Sequence, residues 1–306
     1  MSTASINKPA GVLGVRAAVA VMCLVWGSTW FVVREGLGEM QPFGSSGVRF
    51  LLAWLLMLLV ARPLAAREGG ARPPLSLVLV MATGNFALSY GIVYWAEQTL
   101  PSGLTAVLWA VFPLMTAGVA QLQGTEAPLR GGQWWGLVIG FLGVVLLFLT
   151  DVRSVGGDAI ERGLVLLLSP LVSAFATAHI KRHGAHVSAV LLNRSALLVG
   201  SLMLLGAALL FEGGVSLPET GAGMAGLAYL AAMGTVLTFS LYFWVLRQAS
   251  TVALSLIAYV TPAIALTVGA VLGEEVVTVW TLGGLALVLL GCGLVLQRPA
   301  AAGAEG

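Results

Sequence analysis

The chain contains ten stretches without a single Asp, Glu, Lys or Arg: residues 17–33, 50–61, 75–96, 98–125, 131–150, 163–178, 195–211, 220–246, 248–273 and 276–297. A membrane-spanning helix needs about 20 mostly apolar residues, because each residue rises 1.5 Å across a hydrocarbon core of about 30 Å. The second stretch reaches that length only by starting near Phe43 and taking Arg49 into the membrane. The seventh similarly starts near Val187 and takes in Arg194. Ten spans with short connections leave no room for a soluble domain. Composition agrees: 58% of residues are hydrophobic and 9% charged, against roughly a quarter charged in a soluble domain. There is too little polar material to coat a soluble globule, so lipid is the solvent for most of the surface.

The net charge of +2 and the scattered Lys and Arg give no basic patch, which excludes nucleic acid as a partner. Cys23 and Cys292 fall inside apolar stretches and read as small core residues, with no disulfide framework. The run from Ala17 to Val33 reads as a retained first span, not a cleaved signal. With the N-terminus cytoplasmic, the inner segments hold Lys8, Arg16, Arg62, Arg67, Arg72, Arg130, Lys181, Arg182, Arg247 and Arg298. The outer ones hold only Arg34, Arg153 and Arg162. The positive-inside rule then expects both termini in the cytoplasm of a multi-pass plasma-membrane protein, the inner membrane of a bacterium.

Self-comparison yields a repeat. A shift of 149 residues lays Tyr94-Trp95 on Phe243-Trp244, Pro113 on Pro262, Gly124 on Gly273 and Glu126 on Glu275. One residue of slippage lays Gly136 on Gly284 and Gly143 on Gly291, and a shift of 145 lays Arg49 on Arg194 and Trp30 on Phe175. The repeats run over residues 14–150 and 162–297, with short tails at 1–13 and 298–306. Five spans is an odd number, so the second half enters the membrane the opposite way up. Inverted repeats of this kind give secondary transporters an outward-open and an inward-open state from one fold.

The chain resembles the drug/metabolite transporter superfamily, specifically its ten-helix EamA type. The resemblance is carried by Val25-Trp26-Gly27-Ser28 in the first span and by Pro42 followed by Arg49-Phe50 in the second. It is carried again by Pro113, Gly124-Thr125-Glu126, Gly136 and Gly143, and by Pro262, Gly273-Glu274-Glu275, Gly284 and Gly291. It covers nearly the whole chain. It implies an all-α membrane protein of two inverted five-helix halves around a central cavity lined mainly by helices 1, 3, 4, 6, 8 and 9. It also implies export of amino acids, related metabolites or amphipathic drugs. The shared motifs mark the scaffold and do not select a substrate.

Arg49 and Arg194, each about two turns inside a span, are the costliest residues: a central Arg costs roughly 2.5–3.5 kcal/mol on insertion scales. They either meet an anion, carboxylate or gate partner, or snorkel to the near interface. Pro113 and Pro262 sit mid-span, where each removes a backbone hydrogen bond and bends the helix, shaping a cavity or acting as a hinge. Asn85, Ser89 and Tyr90 in span 3, and Thr105, Trp109 and Thr116 in span 4, can line a pocket for an amphipathic solute or pack helices together. Thr238 is the repeat partner of Ser89, and Tyr259 lies beside that of Trp109. Trp26 and Trp30, one turn apart, read as an aromatic wall or as core.

Tyr94-Trp95, Trp134-Trp135, Trp244 and Trp280 lie at span ends and read as interfacial belts. Glu126 and Glu275 precede spans 5 and 10 and suit the dipoles of those helices. Glu97 reads as a solvated loop charge, with gating or protonation as the alternative. His179, His183 and His186 read as a cationic helix end and not as a metal site.

Neither Lys8 nor Lys181 lies in a Walker motif, so the chain carries no ATPase of its own. None of the ten windows holds a carboxylate, by construction. The expectation is therefore facilitated diffusion or weak proton exchange through groups near the ends, such as Glu97 or Glu35. No cofactor is implied. The partners are a small-molecule substrate and the bilayer, and a homo-oligomer is compatible with the sequence. Two rival classes are an intramembrane serine protease, on Gly44-Ser45-Ser46-Gly47, and a non-transporting receptor or assembly protein. The protease lacks a histidine within reach of Ser46, since a general base must be in hydrogen-bond range. The receptor lacks a loop long enough to fold alone.

Overall fold

The computed structural model describes residues 12–123, 129, 131–246 and 251–296. Eight helices are long and apolar enough to cross a membrane, by length and composition. In chain order they are α1 (Leu13–Gly36), α2 (Pro42–Glu68), α3 (Leu75–Glu97), α4 (Ser102–Leu122), α5 (Gly131–Val155), α6 (Ala159–His183), α7 (Ala189–Phe211) and α8 (Gly221–Tyr242). Two further helices follow, α9 (Thr251–Leu272) and α10 (Val279–Leu296). Large apolar side chains such as Leu59, Phe141, Leu202 and Leu209 cover the outside. Such a surface suits lipid, where helices satisfy their own backbone. Glu126, Arg130, Arg247 and most of both tails lie outside the described residues.

The helix pairs cross between the halves. α5 packs on α10 and α2 on α7, while α1 packs on α9 and α8, and α6 on α4 and on the middle of α3. The α5–α10 crossing is made by glycines. A Cβ on Gly136 would lie 2.8 Å from the Gly291 carbonyl oxygen, and one on Gly143 would lie 2.8 Å from that of Gly284. Backbones can approach this closely only without side chains, and dispersion then replaces the hydrophobic drive that lipid removes. The pairing also runs 136 with 291 and 143 with 284, so the two helices are antiparallel.

Helix ends are capped across the same boundary. The Glu68 carboxylate, ending α2, accepts from the Ala189 and Val190 amides at 3.1 Å, at the start of α7. Glu212, just beyond α7, accepts from the Phe43 and Gly44 amides at 2.7 and 2.8 Å, at the start of α2. Glu275 does this for α4 through Ser102 and Gly103, at 2.7 and 2.9 Å. The first amides of a helix have no partner within it, and a carboxylate there also meets the positive end of the dipole. The dipole role expected of Glu275 is therefore real but belongs to α4, and not to the helix Glu275 precedes. The α2–α3 and α6–α7 connections are tied by Ala71, which donates to His186 and accepts from Ser188 at 2.8 and 2.9 Å.

Proline and π-helical turns shape the interior helices. α4 is interrupted after Trp109 and restarts at Phe112, because the Pro113 ring clashes with the carbonyl four residues back. Pro170, absent from the residues singled out above, interrupts α6 at Leu167 in the same way. Pro262 instead sits inside an unbroken α9, so the two repeat-matched prolines do different things. α3 and α8 each contain a π-helical stretch, Met81–Leu88 and Ala232–Leu237. Such turns shift the hydrogen-bond register and recur at functional sites.

Candidate functional site

Arg49 is 2% exposed, in the middle of the bundle. Its Nε donates to the Thr235 hydroxyl (3.2 Å), Nη1 to the Tyr94 hydroxyl (3.1 Å) and Nη2 to the Gly234 carbonyl (3.4 Å). Its guanidinium lies 5.2 Å from the Tyr90 ring centroid and 5.5 Å from that of Phe50. One side chain of α2 thus joins α3 of the first half to α8 of the second. The π-helical turn of α8 explains the carbonyl: Gly234 also accepts from the Trp26 indole at 3.3 Å. All three hydrogen-bond acceptors of Arg49 are neutral. A buried cation ordinarily requires a counter-charge, because removing it from water costs several kcal/mol.

A second polar cluster lies between α3, α4 and α6. The Trp109 indole donates to the Ser169 hydroxyl at 3.0 Å, and that hydroxyl lies 2.9 Å from the Ser89 hydroxyl. Asn85 donates to Ser173 (3.3 Å) and Thr177 (3.2 Å), while its carbonyl oxygen is buried with no partner among the described residues. The clusters are joined by aromatics. Trp30 and Trp109 have ring centroids 6.2 Å apart, Trp109 stacks on Phe112 at 5.0 Å, and Tyr90 meets Phe50 edge-on at 4.8 Å. Trp26 faces Phe239 at 5.9 Å and Tyr242 at 6.2 Å.

Of the residues singled out from sequence, Trp26, Trp30, Arg49, Asn85, Ser89, Tyr90 and Trp109 therefore converge on six helices, α1, α2, α3, α4, α6 and α8. Thr238 joins them as a fully buried hydroxyl with no partner among the described residues. The side chain of Tyr259 is outside the described residues. Arg194 is not part of this cluster: it lines a groove of about 480 Å³ between α2, α3 and α7, beside Trp54 and Leu198. Its repeat partner Arg49 points inward, so the matched positions have separated in role.

Two expectations need correction. Tyr94 is fully buried and binds Arg49, so it is not an interfacial residue. Burial at a span end is invisible without knowing which face meets the neighbouring half. Glu97 is also fully buried, with both carboxylate oxygens unpartnered among the described residues, so it is not a solvated loop charge. Arg34 of α1 explains this: its guanidinium folds over the turn and donates to the Glu97 and Leu100 carbonyls at 2.9 and 2.5 Å. The windows free of charge therefore hid a carboxyl that tertiary packing encloses. Ser46 is buried and donates to the Pro42 carbonyl at 2.8 Å, a helix-start role.

Residues 14–149 and 163–297 each match the EamA-like transporter family. Over 266 residues the chain is 30% identical to a protein of Escherichia coli K12 named "Uncharacterized inner membrane transporter YedA", covering 84% of this chain and 82% of that one. It is 24% identical to "Uncharacterized transporter YoaV" of Bacillus subtilis, covering 92% and 96%. It is 25% identical to a Salmonella typhimurium protein named "Probable amino-acid metabolite efflux pump", covering 89% and 91%. A solved crystal structure superposes with a TM-score of 0.62 at 15% identity, covering 92% of this chain and 97% of that chain, a likeness of fold.

Proposed function

The chain belongs to the EamA-like transporter family, and from that premise we propose that it is a secondary transporter of the inner membrane that exports small carboxylate-bearing metabolites by alternating access. The observation that carries this reading is Arg49, a buried cation whose acceptors are all neutral, held where the two halves meet. A solute carboxylate can pair directly with this guanidinium, which no carboxylate among the described residues does, and the aromatic walls of Trp26, Trp30, Tyr90 and Trp109 suit the apolar part of an amphipathic solute such as an amino acid. The Salmonella relative's name points to the same class.

The architecture in this proposal has ten spans in two inverted halves, 14–150 and 162–297, with both termini cytoplasmic. The antiparallel α5–α10 glycine crossing and the reciprocal Glu68 and Glu212 caps support inversion, because a two-fold axis in the membrane plane exchanges each contact with its partner. The breaks at Pro113 and Pro170 are the hinges of α4 and α6 in this scheme, and Pro262 is a static bend.

Energy coupling follows the span-end carboxyls. Glu35 is exposed and Glu97 fully enclosed, so Glu97 is the group that supports proton exchange over simple diffusion. The test of the function is a metabolite comparison of media from overexpressing and deletion cells. Uptake of the enriched solutes into proteoliposomes follows. Enrichment of carboxylate solutes that Arg49→Gln abolishes supports the proposal. Enrichment only of solutes without an acid group overturns the substrate class.

A further inference from the structure

Arg194 poses a different question from Arg49. It sits five residues beyond the start of α7, about 7.5 Å along the helix, on the same face as Leu202 and Leu209, which are 57% and 66% exposed. The face with Asn193, Leu197, Gly200 and Leu204, about a quarter turn round the helix from Arg194, is buried. Arg194 is half-buried and sits at the edge of the lipid-facing stripe. Its guanidinium has no hydrogen-bond or ion-pair partner among the described residues, nor do the neighbouring Ser195 hydroxyl and Trp54 indole. All three line the groove of about 480 Å³, whose remaining wall is largely apolar, including Leu58, Leu75 and Leu198.

Side chains on a helix lean toward its N-terminus, so Arg194 reaches back toward the end of the bundle where α2 finishes with Arg67 and α6 with Lys181 and Arg182. That end lies at the headgroup level if the helices span a bilayer. A long cationic side chain snorkels to that level, and a guanidinium there matches a phosphate with two parallel hydrogen bonds.

We propose that this groove binds one anionic phospholipid, its phosphate on Arg194, Ser195 and the Trp54 indole and one acyl chain along Leu58, Val78 and Leu198. The combination decides the occupant. A free phosphate would fill a small part of the groove and gain nothing from its apolar wall, whereas a zwitterionic lipid brings a headgroup cation that offsets part of its phosphate's attraction to the unpaired charge. The proposal depends on the helices spanning a bilayer and not on what the protein transports.

The experiment is native mass spectrometry of the full chain in detergent, titrated with phosphatidylglycerol or phosphatidylcholine, alongside thermal melts with inorganic phosphate. Wild type is expected to retain one phosphatidylglycerol in preference to phosphatidylcholine, and Arg194→Gln to lose affinity by on the order of tenfold. Leu198→Trp, which keeps the charge but fills the groove, is expected to lose retention as well, and it keeps the test open if Arg194→Gln fails to fold. Unchanged retention in the variant that folds, equal retention of the two lipids, or equal stabilisation by inorganic phosphate would each overturn the proposal.

Discussion

Glu68 and Glu212 cap each other's helices: each carboxylate, at the finish of α2 or just past α7, accepts the first amides of the partner helix at 2.7 to 3.1 Å. Two antiparallel helices are thereby stapled at both ends. Without the staples, amides at a helix start in contact with the partner would each lose a partner that lipid cannot supply. Hydrogen bonds to a charged group contribute about 1.5–3 kcal/mol. Glu212→Ala and Glu68→Ala are each expected to lower stability by about 1–3 kcal/mol, read as a shift in unfolding by mild SDS titration. Values near zero for both would mean that α2–α7 packing alone fixes the pair.

The glycine crossing makes a sharper demand. A Cβ on Gly291 would stand 2.6 Å from the Gly136 carbonyl and the Gly140 amide, both backbone, whereas one on Gly283 would stand 3.7 Å from a flexible leucine. Backbone cannot yield as a side-chain end can, so Gly291→Ala must push α5 and α10 apart. Gly291→Ala is expected to lose most of its monodisperse peak in fluorescence-detected size exclusion, with Gly283→Ala close to wild type.

Periodicity and repeat matching reach a definite depth into this molecule. The apolar helices and the matched glycines follow from local pattern, since lipid forces continuous apolar helices, whereas for Trp26, Arg49, Asn85 and Trp109 pattern alone left an inward position and a packing or snorkelling one both open. What sequence matching misses is divergence between repeat partners. Arg49 and Arg194 align, yet one is enclosed by Tyr94 and Thr235 while the other faces a lipid-side groove. Pro113 and Pro262 align, yet only the first breaks its helix. Glu97 carries no local mark of burial, because the residue that covers it, Arg34, comes from 63 positions away. These facts depend on which faces meet, and that is set by packing between halves.

Arg49 and Tyr94 give the third prediction. Tyr94→Phe removes one neutral acceptor and leaves the charge, a loss of about 1.5–3 kcal/mol for a hydrogen bond to a charged group. It is expected to fold with reduced thermal stability. Arg49→Lys keeps the charge but cannot reproduce the three-way fork to Thr235, Tyr94 and Gly234, so it is expected to fold and to lose at least tenfold in proteoliposome uptake. Arg49→Lys transport equal to wild type would show that charge without geometry suffices.

Glu39 lies in the connection between α1 and α2. The Thr220 hydroxyl donates to its carboxylate at 2.5 Å, and the Thr220 and Glu219 amides donate at 3.0 and 2.8 Å, capping the start of α8. The Thr220 hydroxyl first, and its amide second, hold the Glu39 carboxyl below its ordinary value. A depressed carboxyl contributes stability that is present above the unfolded value of about 4.3 and fades as pH falls through the folded value beneath it. The gap in melting temperature between wild type and Glu39→Gln is expected to be full at pH 7, and to close on acidification below about pH 4. A gap that is constant from pH 7 to pH 3 would assign the effect to shape and not to charge.

Glu97 carries the last prediction. Its oxygens are enclosed without partners among the described residues, and Arg34 of α1 donates to its backbone carbonyl. Enclosing a carboxylate costs several kcal/mol, so a movement that opens this corner to water makes the Glu97 carboxyl easier to ionise. If that exchange accompanies transport, uptake into proteoliposomes is expected to respond to an imposed pH gradient. In Glu97→Gln, which keeps the shape but binds no proton, the response is expected to vanish while exchange of labelled for unlabelled solute continues. A wild-type rate indifferent to the gradient returns the protein to simple diffusion down the solute's own gradient. A gradient response that survives in Glu97→Gln moves the proton site elsewhere in the chain.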